Sequence, residues 1–516
     1  MRPTARRPKT QHAPLLSLAT LALAATLPSA ARGADAYDLT AAEPVGFAAE
    51  IDIALEFGGE LVAPDFMPKA MTEQLKKKRS KDKPAEQEFT RSPLSVTSQL
   101  RYVERALTGE LALRQYEVAE ATIKSAAGVR LPKLPSSRRL IVARQDGAGP
   151  RTLASPGGAL TREQLDLLGA LGDPAALDSV LPGRRIEEGE KWEVDQAAIA
   201  ILLGLDSIAV CGVEGSVDQA NRRYVRFELA GDIEGAADAA ATEIDFRAVG
   251  LFDRQKQIVT QLNVAMTEKR EVGPARPGVE GTAKAKIKRR LTKPTGELAT
   301  ATAAGLTTGA TPPTDLVLRA GPQGFEVEHD RKWRLAAEAP DALTLRRIEP
   351  VGLVAQTTLK RLPAKASGME MTADELVEEI RSSLGDSLTE IVSTETWNNQ
   401  EGCRCLGLVA HGELDGAPLE WRYYVVMPGN EASGVSAASA DARHAVSIMT
   451  TIEAPLVKRV GDADRDLADR LKMIPPTRAR VAMTPPERIR RSPKRSSSKS
   501  SGTATSSRRS RSLRRR

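Results

Sequence analysis

A chain of 516 residues is long enough for two or three domains of ordinary size, and 41% hydrophobic residues suffice for their cores. With aromatics at only 3%, those cores must rest on Val, Ile, Leu and Ala. The net charge of +7 is unevenly held: residues 1–36 carry +4, residues 488–516 carry +12 without a single acid, and the body between them carries −9. The basic pI therefore does not make the body a nucleic-acid binder.

The first 36 residues read as a secretory signal. Arg2, Arg6, Arg7 and Lys9 precede an uncharged, mainly apolar run from Ala13 to Leu27, and small residues follow. The run falls short of the ~20 apolar residues of a spanning helix. Cleavage is expected after Ala36, with Ala34 at −3; Ser29 and Ala31 offer a second site after Ala31. Arg6-Arg7 raises twin-arginine export, but the residues after the pair fit it poorly. An Arg-rich, acid-poor segment also suits mitochondrial transit; the unbroken apolar block favours export. No cysteine follows the run to carry a lipid, and no second apolar run of membrane length appears, so the mature chain is expected to be secreted or periplasmic without a transmembrane helix.

Residues 37–292 alternate with a period of two, the mark of strands with one dry and one wet face. Ile51, Ile53, Leu55 and Phe57 face one way and Glu50, Asp52 and Glu56 the other. "YVRFELAGDIEG", "EIDFRA" and "QIVTQLNVAM" repeat the pattern. "TREQLDLLGALG" predicts a helix opened by a Thr161–Gln164 capping box, and "DQAAIAILLGL" a second one. "KKKRSKDK", Lys76 to Lys83, is a solvated basic excursion. The expectation is a curved antiparallel sheet with a few helices.

Residues 293–315 are dominated by Thr, Ala, Gly and Pro and are expected to form a disordered interdomain linker. Residues 316–475 then predict an α+β domain that folds independently. "TADELVEEIRSSLG" is a helix with a Thr372–Glu375 box, an apolar stripe of Leu376, Ile380 and Leu384, and Gly385 at its end. "CRCLGLVAHGELDGAPLEWRYYVVM" is a hairpin about Asp415-Gly416. Trp421, Tyr423, Val425 and Met427 lie on one face and Arg422, Tyr424 and Val426 on the other, so the strand is expected to be covered on both sides. "DADRDLADRLKMI" reads as a closing helix with Leu467 and Leu471 on one stripe.

Chemistry-bearing residues are sparse. Cys211, Cys403 and Cys405 are the only thiols and form a poor disulfide framework. Cys403 and Cys405 would lie roughly 6.6 Å apart in a strand, the outer limit for a bridge. His411 shares their parity but sits ~20 Å further along, so the three do not make a metal site without a fold-back. His329 and His444 stand alone. No H-E-x-x-H, G-x-S-x-G or G-x-x-x-x-G-K-[ST] occurs. Trp192, Trp333 and Trp421 read as core; Trp397, beside a turn, is expected to be the most exposed of the four. No catalytic residue, cofactor or metal is assigned, and oligomeric state stays open.

Residues 476–516 are expected to be disordered, because their charges repel and they have little apolar surface to bury. Arg490, Arg491, Lys494, Arg495, Lys499, Arg508, Arg509, Arg511, Arg514, Arg515 and Arg516 would contact an anionic envelope polymer or lipid headgroups by charge alone. Nucleic acid would not be read specifically, since no aromatic residue stacks a base.

The "GFEVEHDRKW" opening, the capped mid-domain helix and the "LVAHGELDGAPLEWRYYVVM" hairpin resemble the Mog1/PsbP-type domain of exported bacterial lipoproteins and photosystem proteins. That resemblance spans roughly 160 residues and implies an antiparallel sheet flanked by helices, with an adaptor or binding role and no shared catalytic motif. The first segment is similar in architecture to the half-barrels of envelope lipid carriers and uncharacterised exported bacterial proteins. Together these predict a non-enzymatic exported binding or structural protein. The alternatives are a carrier of a lipid or other apolar ligand in the curved sheet, a hydrolase built on scattered acids, and a polyanion binder working through its tail.

Overall fold

The structure, a computed structural model, describes residues 36–42, 48–64, 89–146, 149–187, 189–299, 312–349, 352–362, 371–428 and 444–475. Antiparallel strands dominate and helices are few, as the period-two patterning predicts.

The first region contains β1 (Ala36–Asp38), β2 (Ala48–Pro64), β3 (Phe89–Ala106), β4 (Leu111–Ser125), β5 (Gly128–Arg130), β6 (Leu140–Arg144), β7 (Thr152–Ala154), β8 (Arg185–Glu187), β9 (Lys191–Glu193), β10 (Ser207–Cys211), β11 (Glu214–Ala220), β12 (Tyr224–Ala237), β13 (Ala240–Asp253), β14 (Ile258–Arg270) and β15 (Gly278–Thr292), with helices α1 (Arg162–Leu168) and α2 (Gln196–Leu203). Thirteen of these strands form one sheet in the order β7-β6-β4-β3-β2-β15-β14-β13-β12-β11-β9, with β5 on β4 and β10 on β12. β1 and β8 pair apart from it.

Register aligns the apolar positions into rows that cross the sheet. Leu262, Ile287, Ile53, Leu100 and Ala119 form one such row, and all five are buried. On the opposite face charges alternate in sign: Lys284 stands beside Glu56, Lys288 beside Asp52, and Arg290 pairs with Glu50. Cross-strand opposite charges of this kind contribute roughly 0.2–1 kcal/mol each.

The helices pack onto the inner face. Thr161 and Gln164 complete the expected capping box of α1, and Leu167 and Leu168 are buried. α2 is capped by Asp195, whose side chain accepts from Ala197 N, buries Ile199 and Leu202, and stops at Gly204, whose φ of 69° is a left-handed value open to glycine. Aromatic rings complete this core. Phe227 lies over its register partner Gly250, and Trp192 over Gly215, each filling the space a side chain would take.

The second region contains β16 (Leu316–Ala320), β17 (Phe325–His329), β18 (Trp333–Glu338), β19 (Ala342–Glu349), β20 (Gly352–Leu362), β21 (Leu388–Asn398), β22 (Arg404–Leu414), β23 (Ala417–Met427), β24 (Ala445–Glu453) and β25 (Leu471–Met473), with α3 (Ala373–Leu384), α4 (Val457–Val460) and α5 (Arg465–Asp469). Seven strands form a sheet in the order β18-β19-β20-β24-β23-β22-β21, and β16-β17-β25 form a second. α3 has the Thr372–Glu375 box and lays Leu376 and Ile380 over Leu406, Leu408, Trp421 and Tyr423. The other face buries Cys405, Tyr424, Val426 and Ile448 against Phe325, Trp333 and Leu467. β23 is therefore covered on both sides, as its residues predict. Asp415 and Gly416 both have positive φ, 52° and 83°, at the β22–β23 turn.

Three expectations need correction. The closing helix is only α5; Leu471 leaves the helix and pairs with Val327 as β25, burying itself in the same core as Leu467. The first part of the supposed linker is docked: Gly296–Leu298 makes a 3-10 turn, and Leu298 is 1% exposed against Leu113 and Val142. The two regions also share structure. Leu316 sits in the first core and pairs in parallel with Leu160, and Val317 N donates to Leu160 O at 2.9 Å. Composition alone missed both anchors because each depends on a single leucine.

Candidate functional site

The inner face of the large sheet changes along its strands. Under α1 and α2 its rows are sealed. Towards the ends of β2 and the start of β3 the inward residues become half-buried: Phe57, Leu61, Leu94, Val96, Ile123, Met266 and Val279. Met266, Ala283, Phe57, Val96 and Ile123 make one row, Gly281, Gly59, Leu94 and Ser125 the next, and Val279, Leu61 and Ser92 the last. At ~3.3 Å per residue, successive inward positions are roughly 6.6 Å apart, so three rows offer a strip on the scale of an acyl chain. Phe57 fills the space in front of Gly281. Glu268 and Arg270, joined at 2.5 Å, close the strip on the β14 side. Phe89, Val129 and Leu131, all exposed, belong to strand ends and connections at the same edge.

The opposite end of the sheet is polar and closed. Arg114 is buried between Glu104, 2.6 Å from Nε, and Asp173, 2.5 Å from Nη2; Arg151 adds a contact to Glu104 at 3.3 Å. The Tyr102 and Tyr116 rings lie 4.6 Å apart beside this group. Burial opposes ionisation of Asp173, but Arg114 and Arg151 outweigh it and hold the carboxyl below its ordinary range. Burial pushes Tyr116 up to about 12. Two cations and two carboxylates thus neutralise one another and clamp β3, β4 and the segment after α1, while Asp173 Oδ2 accepts no hydrogen bond. The cavity beside them, lined by Ala48, Ile51, Glu104, Pro174 and Arg289, has a volume of about 30 Å³, room for little more than a water.

In the second region the chemistry-bearing side chains are also tied down. His411 is bridged by Glu390 at 3.3 Å and Glu420 at 3.0 Å; Arg422 joins Glu420 at 2.7 Å to Asp464 at 2.8 Å; Tyr424 donates to Asp464 at 3.0 Å. Burial raises the Asp464 carboxyl above its ordinary value despite Arg422. His329 and His444 contact the carbonyls of Asp330 and Gly324. Cys403 and Cys405 are buried in the core, and burial followed by Cys403 pushes the Cys405 thiol up to about 12. His411 stands apart from both, and among the described residues no three His, Cys, Asp or Glu gather for a metal. Trp192, Trp333 and Trp421 are buried; Trp397 is the half-buried one, donating to Asp469 with Arg465 over its ring at 4.6 Å.

Ala36, the expected end of the signal, opens β1 opposite Glu187. Arg490 and the other basic residues assigned to polyanion contact lie outside the described residues, as does "KKKRSKDK". Alternation identifies the inward residues of the strip, but it carries no signal for where helical cover stops. No helix among the described residues is long and apolar enough to cross a membrane. The outward face of the large sheet is charged, unlike the apolar outer band of a membrane barrel.

No family model matches the chain, and no curated protein does. Among solved structures, cyanobacterial PsbP from Synechocystis is similar at 10% identity and a TM-score of 0.23, covering 31% of this chain and 92% of that one. A Pseudomonas aeruginosa protein of unknown function is similar at 12% identity and a TM-score of 0.17, covering 29% and 91%. A lipovitellin structure concerned with lipid–protein interactions is similar at 6% identity and a TM-score of 0.27, covering 49% of this chain and 26% of that one. All three likenesses are weak, and the Mog1/PsbP-type resemblance rests on the residues quoted for it.

Proposed function

We propose that the chain is an exported, non-enzymatic binding protein of the bacterial envelope whose curved-sheet domain shelters a lipid or other apolar ligand at its open end. The observation that carries this reading is the strip of half-buried apolar rows around Phe57, Leu94, Val96 and Ile123 where the cover of α1 and α2 stops. An apolar concave surface with few polar groups is what such a ligand requires. The non-catalytic part is supported by the way the histidines, buried cysteines and Arg114 are engaged in the fold. Export is supported by the basic, apolar and small-residue order of residues 1–36, and the basic tail supplies a charge-driven anchor to anionic polymers or headgroups. Solvent extraction of the purified protein followed by mass spectrometry tests the carrier reading. Co-purifying lipid, displaced by a fluorescent fatty acid, is the expected result; clean extracts and no fatty-acid binding would leave a structural or adaptor role.

A further inference from the structure

The outer strands of the two large sheets are guarded unequally. β7 and β9, which end the thirteen-stranded sheet, have three residues each. β18, at one end of the seven-stranded sheet, is tied to the first region through Arg334 and Asp238. β21, at the other end, has eleven residues and pairs only with β22 among the described residues. Its sequence, LTEIVSTETWN, is rich in β-branched residues and holds neither Lys nor Pro, the common guards of an open edge. Val392 is 50% exposed. Two register shifts, after Leu388 and after Ile391, disturb the first half of the strand. Residues 393–398 are regular, and their outward N–H and C=O groups are a template for one more strand.

The chain carries a strand-like segment within reach of this edge. Residues 477–484, TRARVAMT, lie outside the described residues, between Pro475-Pro476 and Pro485-Pro486. Ala479, Val481 and Met483 alternate with Arg478, Arg480 and Ala482, a period of two. Asn399, just past β21, donates to Leu471 O at 3.0 Å, and Ile474 N donates to Gly324 O at 3.0 Å. Three residues lead from the first contact to the second, ~10 Å, and the five from Ile474 to Ala479 cover ~17 Å, enough to return. A segment that enters beside Asn398 and runs towards Ser393 lies antiparallel to β21, as every pair in that sheet does. Charge selects the same occupant. Residues 372–398 hold seven acids and Arg381. Arg404, Arg465 beside Glu395 and His411 beside Glu390 bring the cations to four at most, so acids outnumber them by three. A second copy of β21 would set acid against acid. The stretch 429–443, also outside the described residues, has two acids to one arginine and is built mainly of Gly, Ala and Ser.

We propose that residues 479–484 add to the open edge of β21 as an antiparallel eighth strand of the seven-stranded sheet. Thr394 and Thr396 stand opposite Leu408 and Leu406 on the α3 side, and Glu390 and Glu395 belong to the other face. The register that puts Val481 and Met483 on the α3 side puts Arg480 on the side of Glu395. Backbone hydrogen bonds hold the added strand, and Pro485, which has no N–H, ends it. The wholly basic run from Arg488 onwards is thereby anchored to the second region.

Amide hydrogen exchange, read by mass spectrometry on peptides that cover residues 393–398, tests the pairing. The outward amides of that stretch should exchange at least ten-fold more slowly in the full chain, and in the chain truncated after Glu487, than in the chain truncated after Pro475. Successive N–H groups of a strand point to opposite sides, so one of the full-length variants Val481→Pro and Ala482→Pro must lose a donor that faces β21. At least one of them should lose the protection while exchange in β23, the control for folding, stays unchanged. A synthetic peptide of residues 476–487 added to the shorter truncation should restore it. Unchanged exchange at residues 393–398 in the shorter truncation, or in both proline variants, overturns the proposal. Protection that persists in the shorter truncation and grows with protein concentration, alongside a dimer in sedimentation, assigns the edge to a second copy and overturns it equally.

Discussion

The two sheets use the same antiparallel strands and leave different surfaces. In the seven-stranded sheet, β22 and β23 send Leu406, Trp421 and Tyr423 under α3 and Cys405, Tyr424 and Val426 into the opposite core, so both faces are spent on folding. In the thirteen-stranded sheet one face is charged, and the other is covered by α1 and α2 over only part of its length. A sheet buried on both sides has no apolar surface left for a ligand. A sheet longer than its own helices has one by construction, and that difference is why the candidate site lies in the first region.

The sharpest way to break the comparison is Arg422→Met. Asp464 is fully buried and Arg422 nearly so. Removing one partner of such a pair costs about 3–5 kcal/mol, and urea unfolding should show that loss near neutral pH. Burial raises the folded-state pKa of Asp464 above its ordinary 3.8. The folded state then holds the proton more tightly than the unfolded state, so stability falls as pH rises from about that ordinary value through the raised one. Without Arg422 the carboxyl is pushed higher still. The gap between variant and wild type should therefore be widest at neutral pH and narrow as pH falls towards 4. A gap constant with pH would mean Asp464 is not the group left unbalanced.

Within the large sheet, Phe246→Ala and Leu94→Asp separate the sealed rows from the open ones. Phe246 is fully buried, and its loss should cost about 3–5 kcal/mol. Leu94 is half-buried at the open end; an aspartate there should cost about 1 kcal/mol or less and abolish fatty-acid binding. If Leu94→Asp unfolds the protein as Phe246→Ala does, the strip belongs to the core and the carrier reading is lost.

Most of this fold is legible in the sequence because its signals are local. Period two marks β2 and β12 to β14, and Thr161–Gln164 and Thr372–Glu375 announce the helices they cap. The misses are nonlocal. Leu298 and Leu316 look like linker edges until the first core supplies a place for them. Leu471 continues a helical stripe in sequence, yet its backbone finds a partner in Val327. The site is harder to read than the fold for the same reason. Ile53 and Phe57 belong to one alternating set, and only the endpoint of α1 and α2 makes the first core and the second half-exposed.

The shared structure at the joint alters what proteolysis should give. Cleavage between residues 299 and 312 severs the chain, but Leu316 remains in the first core beside Leu160. The two pieces should co-elute on size exclusion, and Leu316→Asp should let them part. Separation of the wild-type pieces would restore the picture of two domains that fold independently and touch only through a tether.

The smallest effect on folding is expected at the basic end. Truncation after Glu487 removes twelve Lys or Arg and leaves the acidic body. The segment has too little apolar surface to offset the entropy of ordering, so the melting temperature of the truncated protein should match the full chain. Retention on heparin and on anionic vesicles should drop sharply and lose its salt dependence, because binding through many cations releases counterions and weakens as salt rises. Retention that persists in the truncated protein assigns the polyanion contact to the body. Retention of the full chain that survives high salt and distinguishes nucleic-acid sequences would make the tail a recognition element, a role its lack of aromatic side chains argues against.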